Sequence, residues 1–309
     1  MAPHRGPRPC DLRERAGKRL GCESDSDGRC LPLRSSLGIC GGCGEDVALG
    51  GFDVTVPNPA RMWNYWLGGK DNFAADRMAG DQVTDALPTM PLVARAARLF
   101  LIEAVRQLVT AHGVRQFIDI GSGLPAADNT HEVAQRAAPS ARVVYVDHDP
   151  VVVNHGKALL ASRDGTTDIF QADLRDTATI AGEAGKTLDF GQPIAVLLIG
   201  VLHFIPDADD PYGIIDRLVS LLAPGSYLVI WHGASDIEPA AAAELSRRYN
   251  ERSPVKIRLR TRAEIVPFFD GLDLVGRGLV PLGQWWDENR AGVGVATSLV
   301  GHVGIARKN

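Results

Sequence analysis

The sequence is organised around Phe117-Ile-Asp-Ile-Gly-Ser-Gly-Leu-Pro125, in which an apolar run of strand length leads into two glycines. Gly121 and Gly123 lack side chains, so a ligand can approach the main chain closely at this turn. In doubly wound α/β sheets, ligands bind beyond the carboxyl ends of the strands, where the strand order reverses. The stretch therefore predicts a strand-to-helix turn at a ligand site. A tight turn without a ligand is the alternative interpretation.

Strands and helices alternate on the carboxyl side of this turn. We expect strands at 116–120, 142–146, 168–171, 193–199 and 227–231, separated by helices at 126–138, 150–162, around 178–184 and 212–222. This alternation predicts right-handed βαβ units in an α/β, doubly wound, Rossmann-like sheet. Two further β segments, 272–275 and 298–305, have no crossover helix between them. They predict a carboxyl-terminal antiparallel hairpin that completes a mostly parallel sheet of seven strands.

Composition divides the chain into three parts. Residues 1–50 are rich in Gly, Arg, Ser and Pro without sustained periodicity, which predicts a disordered or non-native N-terminal extension. Residues 51–113 predict a helical lid or substrate segment, and residues 114–309 predict the ligand-binding domain. All five cysteines lie in the first part. Cys40-Gly-Gly-Cys43 has the spacing of a zinc knuckle but lacks a second close pair, so we expect no metal site.

Charge and motif content disfavour several classes of protein. The formal net charge is −4, and no extended basic block is present, so nucleic acid is not an expected partner. No apolar run approaches the roughly 20 residues of a membrane helix, and the beginning lacks the apolar stretch of a secretory signal, so we expect a cytoplasmic protein without membrane contact. Serine hydrolases, P-loop enzymes and zincins are disfavoured because their motifs are missing. No pattern indicates an oligomeric state.

Acidic residues recur at the ends of the predicted strands. Asp147 ends the second strand, roughly 20–30 residues after the glycines, where a carboxylate can accept hydrogen bonds from ribose hydroxyls. This spacing fits both nicotinamide cofactors and S-adenosylmethionine. Ala126 stands near the position where a dinucleotide fingerprint has its third glycine, and the terminal hairpin is also unlike a dinucleotide-binding fold. The pattern therefore favours S-adenosylmethionine.

The motifs Asp119–Gly123, Asp147 and Gln171-Ala-Asp173 together resemble the first three motifs of class I S-adenosylmethionine-dependent methyltransferases. The resemblance implies that the glycine turn lies beside the methionine portion, that Asp147 binds ribose and that Asp173 contacts the adenine amino group. On this basis we expect nine residues to bind S-adenosyl-L-methionine. They are Asp119, Gly121, Ser122, Gly123, Asp147, His148, Asp173, Leu174 and Gly200.

A second resemblance is more specific. The segment Pro57-Asn-Pro-Ala-Arg-Met-Trp-Asn-Tyr-Trp-Leu-Gly-Gly-Lys-Asp-Asn-Phe-Ala-Ala-Asp-Arg77 is similar to the signature of a bacterial S-adenosyl methyltransferase-like family, once catalogued only as a domain of unknown function. Asn129-Thr-His131 and Gly283-Gln-Trp-Trp286 fit the same family, and the resemblance spans residues 54–309. We expect a polar lid over the cofactor or substrate. Its residues are Arg61, Tyr65, Lys70, Asp71, Asn72 and His131. Trp63 and Trp66 are expected to pack on the sheet.

His203 follows the fourth predicted strand and is expected to face the cleft. Because the unperturbed pKa of histidine is about 6.5, His203 is a candidate base that removes a proton from a substrate hydroxyl. The alternative is a residue that only shapes the pocket. Asp207 is expected to be a turn or cap residue, and His232 is a weaker candidate for the substrate site.

These observations predict methyl transfer from S-adenosyl-L-methionine to an oxygen or nitrogen nucleophile of a small molecule, by in-line displacement. Two alternatives remain open. One is a non-catalytic regulatory protein that binds S-adenosylmethionine, and the other is an NAD-dependent oxidoreductase.

Overall fold

The computed structural model describes residues 53–160, 162, 164–285 and 300–309 of the 309-residue chain. The predicted extension at residues 1–50, the cysteines and Trp286 lie outside these residues.

Three helices precede the sheet: α1 (Pro59–Trp66), α2 (Ala74–Ala86) and α3 (Met90–His112). The Asn58 side chain begins α1 by accepting the backbone N–H groups of Ala60 and Arg61. Gly113 ends α3 in the left-handed conformation, with φ of +70°.

The central part alternates strands and helices, as predicted. The strands are β1 (Gln116–Ile120), β2 (Arg142–Asp147), β3 (Thr167–Gln171), β4 (Ala195–Ile199) and β5 (Tyr227–His232). The helices are α4 (Thr130–Ala137), α5 (Pro150–Leu159), α6 (Thr177–Ala184) and α7 (Pro211–Ser220), and short 3-10 turns lie at Leu202–Phe204 and Asp207–Asp209. Helix α4 begins at Thr130 rather than at residue 126, because the Glu132 side chain accepts the N–H of Asn129 in a capping box.

The carboxyl-terminal part contains the predicted antiparallel hairpin and one helix, Pro239–Arg252, that was not predicted. Its helices are α8 (Pro239–Arg252), α9 (Arg262–Ile265) and 3-10 turns at Val266–Phe269 and Leu282–Gln284, and its strands are β6 (Asp273–Leu274), β7 (Val280–Pro281) and β8 (His302–Arg307). Strand β8 pairs antiparallel with β5, and β6 and β7 both pair antiparallel with β8. Because β5 occupies one edge of β8, β6 and β7 share its other edge.

The eight strand segments therefore fill seven positions, in the order β3-β2-β1-β4-β5-β8-β6. The pairs among β1 to β5 are all parallel. The predicted fold is confirmed, with one refinement: the last strand lies inside the sheet, between β5 and β6.

Side chains of successive strand residues enter two separate cores. Leu197 and Val229 face the core that contains α1, α3 and α8, whereas Leu198 and Ile230 face the core that contains α7. The N-terminal helices and α8 thus cover the same face of the sheet. Within the described part of the chain, none of the helices has the length and apolarity needed to cross a membrane.

Candidate functional site

A cavity of about 470 Å³ opens where β1, β2 and β4 end. All nine residues that the sequence predicts for the cofactor border it. Residues of α1, α8, β5 and the 3-10 turn at Leu202–Phe204 also border it. The position agrees with the rule that ligands bind at the carboxyl ends of parallel strands.

The two glycines of the turn differ in the space around them. Gly121 and Gly123 both have φ of +67°, a conformation that favours glycine. A Cβ atom on Gly121 would lie 2.2 Å from Cγ2 of Val201, whereas a Cβ atom on Gly123 would meet no described atom within 4 Å. The Ser122 hydroxyl is buried and has no hydrogen-bond partner among the described residues. The turn therefore presents open space and an unsatisfied polar atom, as a ligand site requires.

Asp147 joins the turn to the end of β2. Its Oδ2 atom accepts the N–H of Gly123 at 2.9 Å, and its Oδ1 atom accepts the N–H of Asp149 at 3.0 Å. Each carboxylate oxygen retains a second lone pair, so Asp147 can hold the turn and still accept ligand hydroxyls. The side chain of His148 is 64% exposed, and its hydrogen bond to Asp147 raises the pKa of the imidazole.

Asp119 lies deeper in the same wall. The Thr130 hydroxyl donates to its Oδ2 atom at 2.6 Å. Burial raises the pKa of Asp119 to about 6, although the Thr130 hydrogen bond and the Arg98 charge act in the opposite direction. Asp119 therefore fixes the start of α4 against β1.

The remaining predicted cofactor residues complete the rim. Asp173 is half-exposed and accepts the N–H of Arg175 at 2.9 Å, while Leu174 is buried. Gly200 has φ of +81°, and a Cβ atom there would lie 2.9 Å from Cζ3 of Trp231. The open turn, the orphaned Ser122 hydroxyl and the Asp147 acceptors together fit an adenosyl ligand with ribose hydroxyls.

The structure corrects the predicted lid at Arg61 and Tyr65. Arg61 is buried, and its Nε atom donates to Oδ2 of Asp76 at 2.8 Å. The hydroxyl of Tyr65 donates to Oδ1 of Asp81 at 2.7 Å. Neither residue borders the cavity. Both side chains instead hold α1 against α2.

Three further lid predictions also fail to reach the cavity. Asn72 donates to Oδ1 of Asn64 at 2.9 Å, and Lys70 is exposed. Nδ1 of His131 shares a hydrogen bond of 2.9 Å with the Tyr145 hydroxyl, while the backbone N–H of His131 donates to that hydroxyl at 2.8 Å. Burial lowers the pKa of His131. Of the six predicted lid residues, Asp71 alone borders the cavity.

His203 borders the cavity, as predicted, and is 8% exposed. Its ring contacts Phe204 at 4.4 Å and stands perpendicular to Trp231 at 5.8 Å, measured between ring centroids. Burial, together with the nearby Arg260 charge, lowers the pKa of His203 to about 3. Its Nδ1 atom is buried without a hydrogen-bond partner among the described residues. At neutral pH, His203 is therefore an uncharged imidazole with one unused nitrogen.

Arg260 holds the turn that carries His203. The side chain is fully buried and donates to the carbonyl oxygens of Leu202 and Ile205 at 3.0 and 2.9 Å. It also donates to Oδ1 of Asp207 at 2.7 Å. Asp207 is thus more than a turn residue, because it anchors the guanidinium group.

His232 faces away from the cavity, contrary to its candidacy for the substrate site. Arg260 has only donors, so its 3.1 Å contact with Nε2 of His232 makes that nitrogen an acceptor. The Nδ1–H group then donates to the carbonyl of Gly233 at 2.7 Å. Burial, followed by the neighbouring His203, lowers the pKa of His232. His232 supports Arg260 as a neutral acceptor.

The sequence interpretation missed the aromatic side chains that border the cavity. Trp63, expected to pack only on the sheet, lies 5.4 Å from Trp231 and 6.0 Å from Trp66, between ring centroids. Phe204 and Tyr249 are 6.4 Å apart. All five border the cavity. The spacing of Trp63 and Trp66 on one helical turn was the available signal, because residues three apart share a helix face.

Asn58 links α1 to the strand-end side of the cavity. Its Nδ2 atom donates to Oδ2 of Asp149, while Oδ1 of Asp149 accepts the N–H of Val151 at 2.7 Å. Since the N–H of Asp149 donates to Asp147, a continuous chain of hydrogen bonds runs from α1 to the glycine turn.

The strand order β3-β2-β1-β4-β5-β8-β6, with β8 antiparallel and a glycine turn after β1, defines the class I S-adenosylmethionine-dependent methyltransferase fold. A family model described as S-adenosyl methyltransferase matches residues 48–309. The chain belongs to this family. Its recognised cofactor is S-adenosylmethionine, which the site residues fit. Within the described ranges, no group of three or more His, Cys, Asp or Glu residues could hold a metal ion.

Two solved structures are similar over most of the chain. A DUF574 family protein from Streptomyces avermitilis MA-4680 is 39% identical, with a TM-score of 0.79 over 83% of this chain and 99% of its own. A protein from Thermobifida fusca YX, titled as a proposed methyltransferase, is 37% identical, with a TM-score of 0.77 over 86% and 100% of the two chains.

A curated relative from Mycolicibacterium paratuberculosis (strain ATCC BAA-968 / K-10) carries the name of a proposed S-adenosyl-L-methionine-dependent methyltransferase. It is 32% identical over 170 residues, which are 52% of this chain and 52% of that protein. The match thus spans about half the length of the relative.

Proposed function

We propose that this protein transfers the methyl group of S-adenosyl-L-methionine to an oxygen or nitrogen nucleophile of a small molecule, by in-line displacement. The observation that carries the proposal is one continuous cavity, which joins the strand-end polar groups to His203 and the aromatic side chains. A protein that only bound the cofactor would not need the second half of this cavity.

S-adenosylmethionine, when bound, supplies a methyl group that its sulfonium already activates. The protein therefore has to hold the ligands, align the acceptor and exclude water. Gly121, Gly123 and Asp147 are placed to hold the adenosyl ligand, while the apolar wall excludes water. In this proposal residues 51–113 serve as the lid and substrate segment, because α1 forms part of that wall, and residues 114–309 form the cofactor-binding domain.

His203 is the proposed base. Its uncharged imidazole can accept a hydrogen bond from the acceptor atom and take that proton as the new bond makes the atom acidic. Its lowered pKa makes it a weak base, so it is uncharged and ready to accept at neutral pH. Arg260 keeps the turn in place.

Calorimetry with S-adenosylmethionine, S-adenosylhomocysteine and NAD tests the cofactor. We expect both adenosyl ligands to bind and NAD not to bind. If NAD binds and neither adenosyl ligand does, the proposal is wrong and an oxidoreductase is favoured. Transfer of labelled methyl groups to a small-molecule extract tests the activity. Tight cofactor binding with a persistent lack of transfer would indicate a regulatory protein.

The base role predicts that His203→Ala lowers kcat by about 100-fold or more. The dissociation constant for S-adenosylhomocysteine should change by less than about threefold, because His203 is not among the residues expected to bind the cofactor. A variant with near-normal turnover across the pH range contradicts the base role.

A further inference from the structure

The substrate side of the cavity is an aromatic enclosure, which we call the aromatic end. It is bordered by Trp63, Trp66, Phe204, Trp231 and Tyr249. Ring contacts connect these residues in one series: Trp66 to Trp63, Trp63 to Trp231, Trp231 to His203, His203 to Phe204 and Phe204 to Tyr249. Flat rings on several sides favour a flat aromatic guest, because offset and edge-to-face ring contacts add to apolar burial.

The charged side chains that border the cavity lie elsewhere. Among the described residues, the acidic groups that border it lie at or just after the ends of β1, β2 and β3, except for the exposed Asp71. Arg98 and Arg175 also border the cavity, but Arg98 donates to the carbonyl oxygens of Ala127 and Asp128 near the glycine turn, and Arg175 pairs with Asp173 and Asp209. A cationic substrate group at the aromatic end would thus be buried without an opposite charge from these residues, and an anionic group would lie near the Arg260 guanidinium, which already pairs with Asp207, so burial of either carries a large desolvation cost.

Among the residues at the aromatic end, the imidazole of His203 is the group with a basic nitrogen; the indole N–H of Trp231 and the hydroxyl of Tyr249 are also buried without a partner among the described residues. A neutral imidazole offers one acceptor nitrogen, so a substrate O–H can donate to the ring of His203. A weak base suits a phenol-like hydroxyl, whose pKa of about 10 is far below that of an aliphatic alcohol. A neutral amine attacks through its own lone pair and does not need prior deprotonation.

We propose that the aromatic end binds an uncharged, planar aromatic compound whose hydroxyl group is the methyl acceptor. This inference rests on the proposed function and narrows its substrate class. The acceptor oxygen bonds to the methyl carbon while the carbon–sulfur bond breaks, and the electron pair of that bond stays on sulfur. The hydroxyl proton passes to the imidazole of His203, so the charge moves from sulfonium to imidazolium and is then released to solvent with the proton.

Four probes with one carbon skeleton test the proposal by calorimetry, with the full chain saturated by S-adenosylhomocysteine. The probes are 2-naphthol, the anion 2-naphthoate, the cation 2-naphthylmethylammonium and the non-planar decahydro-2-naphthol. We expect 2-naphthol to bind at least about tenfold more tightly than each of the others, which corresponds to about 1.4 kcal/mol. Equal or tighter binding of any of the three, or no binding of 2-naphthol up to its solubility limit, overturns the proposal.

Trp63→Leu separates ring recognition from simple apolar filling, since leucine keeps an apolar wall. We expect 2-naphthol to bind about three- to tenfold more weakly to this variant, with unchanged affinity for S-adenosylhomocysteine. Met78→Ala, which alters a side chain 63% exposed on α2, is the control and should leave both affinities unchanged. Undiminished 2-naphthol binding by Trp63→Leu contradicts ring recognition.

The hydroxyl contact is tested with 2-methoxynaphthalene, which lacks the donor. The wild-type protein should prefer 2-naphthol by about fivefold, and His203→Leu should lose this preference. An unchanged preference overturns the contact. These readouts are binding constants, so they are independent of turnover. If labelled methyl groups reach other acceptors while 2-naphthol shows no selectivity, the inference fails and the proposed function stands. If 2-naphthol binds selectively and no acceptor is methylated, the proposed function is wrong, but the class of compound proposed to bind at the aromatic end is supported.

Discussion

The strand-end side of the cavity and its aromatic end differ in how the chain builds them. The strand-end side uses residues that directly follow β1, β2, β3 and β4, and much of its geometry comes from backbone atoms of the glycine turn. The aromatic end collects side chains from α1, β5, α8 and the turn that carries His203. One side is thus defined locally by the sheet, whereas the other depends on tertiary packing between distant segments.

This difference indicates which changes each side tolerates. Backbone geometry at the strand ends is fixed by the parallel pairing of the strands, so we expect the cofactor side to be less sensitive than the aromatic end to substitutions in the helices. The aromatic end depends on supports that never touch a ligand, such as Arg260. Substrate recognition can therefore change while the cofactor site stays the same.

Arg260→Met is expected to give the largest effect. The substitution leaves the carbonyl groups of Leu202 and Ile205 without their buried donor, so we expect the free energy of unfolding to fall by about 4 kcal/mol. In the folded fraction, affinity for S-adenosylhomocysteine should remain within about threefold of wild type, while 2-naphthol binding is lost. Denaturant unfolding and calorimetry measure the two quantities.

The matched control is Arg258→Met, two residues away. Arg258 pairs with Asp207 and Glu264, but its side chain is 40% exposed. Exposed ion pairs contribute little, so this variant should lose less than about 1 kcal/mol. Equal losses for the two variants would contradict the structural role assigned to Arg260.

The substitution Gly121→Ala tests the strand-end side. Alanine at this positive φ costs about 1–2 kcal/mol, and its Cβ atom would meet Val201, whose branched side chain has little freedom to move. We expect a total loss of about 3 kcal/mol in unfolding free energy and no measurable binding of S-adenosylhomocysteine. Gly113→Ala is the control, because Gly113 has φ of +70° and open space around its Cβ position. It should lose about 1 kcal/mol and bind normally. If the two variants lose the same unfolding free energy, the close approach of Val201 to Gly121 does not restrict the turn.

Sequence reasoning succeeded where the structure is local. The motif Asp119–Gly123 and the acidic residues Asp147 and Asp173 lie at or just after the ends of their strands. Because the carboxyl ends of parallel strands meet at one edge of the sheet, predicting the strands was enough to place these residues together. It failed at the lid, because a single helical segment does not reveal which face meets the sheet. Arg61 and Tyr65 instead contact acidic partners on α2.

The same limit explains why the supports of the aromatic end were missed. Arg260 stands in the basic cluster Lys256–Arg262, a pattern that usually indicates exposed residues, yet its burial depends on carbonyl groups more than fifty positions earlier. Helix α8 was not predicted although Pro239 and the following alanines favour a helix. Its contribution, through Tyr249, could be recognised only after folding.

The pH dependence of the unfolding free energy tests the ionisation of Asp119 on the strand-end side. Burial raises the pKa of Asp119 from 3.8 to about 6, so between these values the folded chain binds more protons than the unfolded chain. Stability from this group is therefore lost as the pH rises through that window. Asp119→Asn keeps an acceptor for Thr130 but does not ionise. Its unfolding free energy, relative to wild type, should increase by about 2 kcal/mol between pH 4 and pH 7. Parallel pH profiles would contradict an ionisable, buried Asp119.

Asn58→Ala probes the connection between the two sides, and its expected effect is the smallest. The variant loses the N-cap of α1 and the hydrogen bond to Asp149, which positions Asp147 and, through it, the N–H of Gly123. We expect the dissociation constant for S-adenosylhomocysteine to rise about five- to tenfold, with a loss of about 1 kcal/mol in unfolding free energy. Asp176→Ala supplies the control, since Asp176 caps α6 by accepting the N–H of Thr179 at 3.0 Å and does not border the cavity. Asp176→Ala should lose a similar unfolding free energy and bind S-adenosylhomocysteine as tightly as the wild-type protein. If both variants bind the ligand as tightly as wild type, α1 and the cofactor side are independent, and the hydrogen-bond chain through Asp149 transmits nothing.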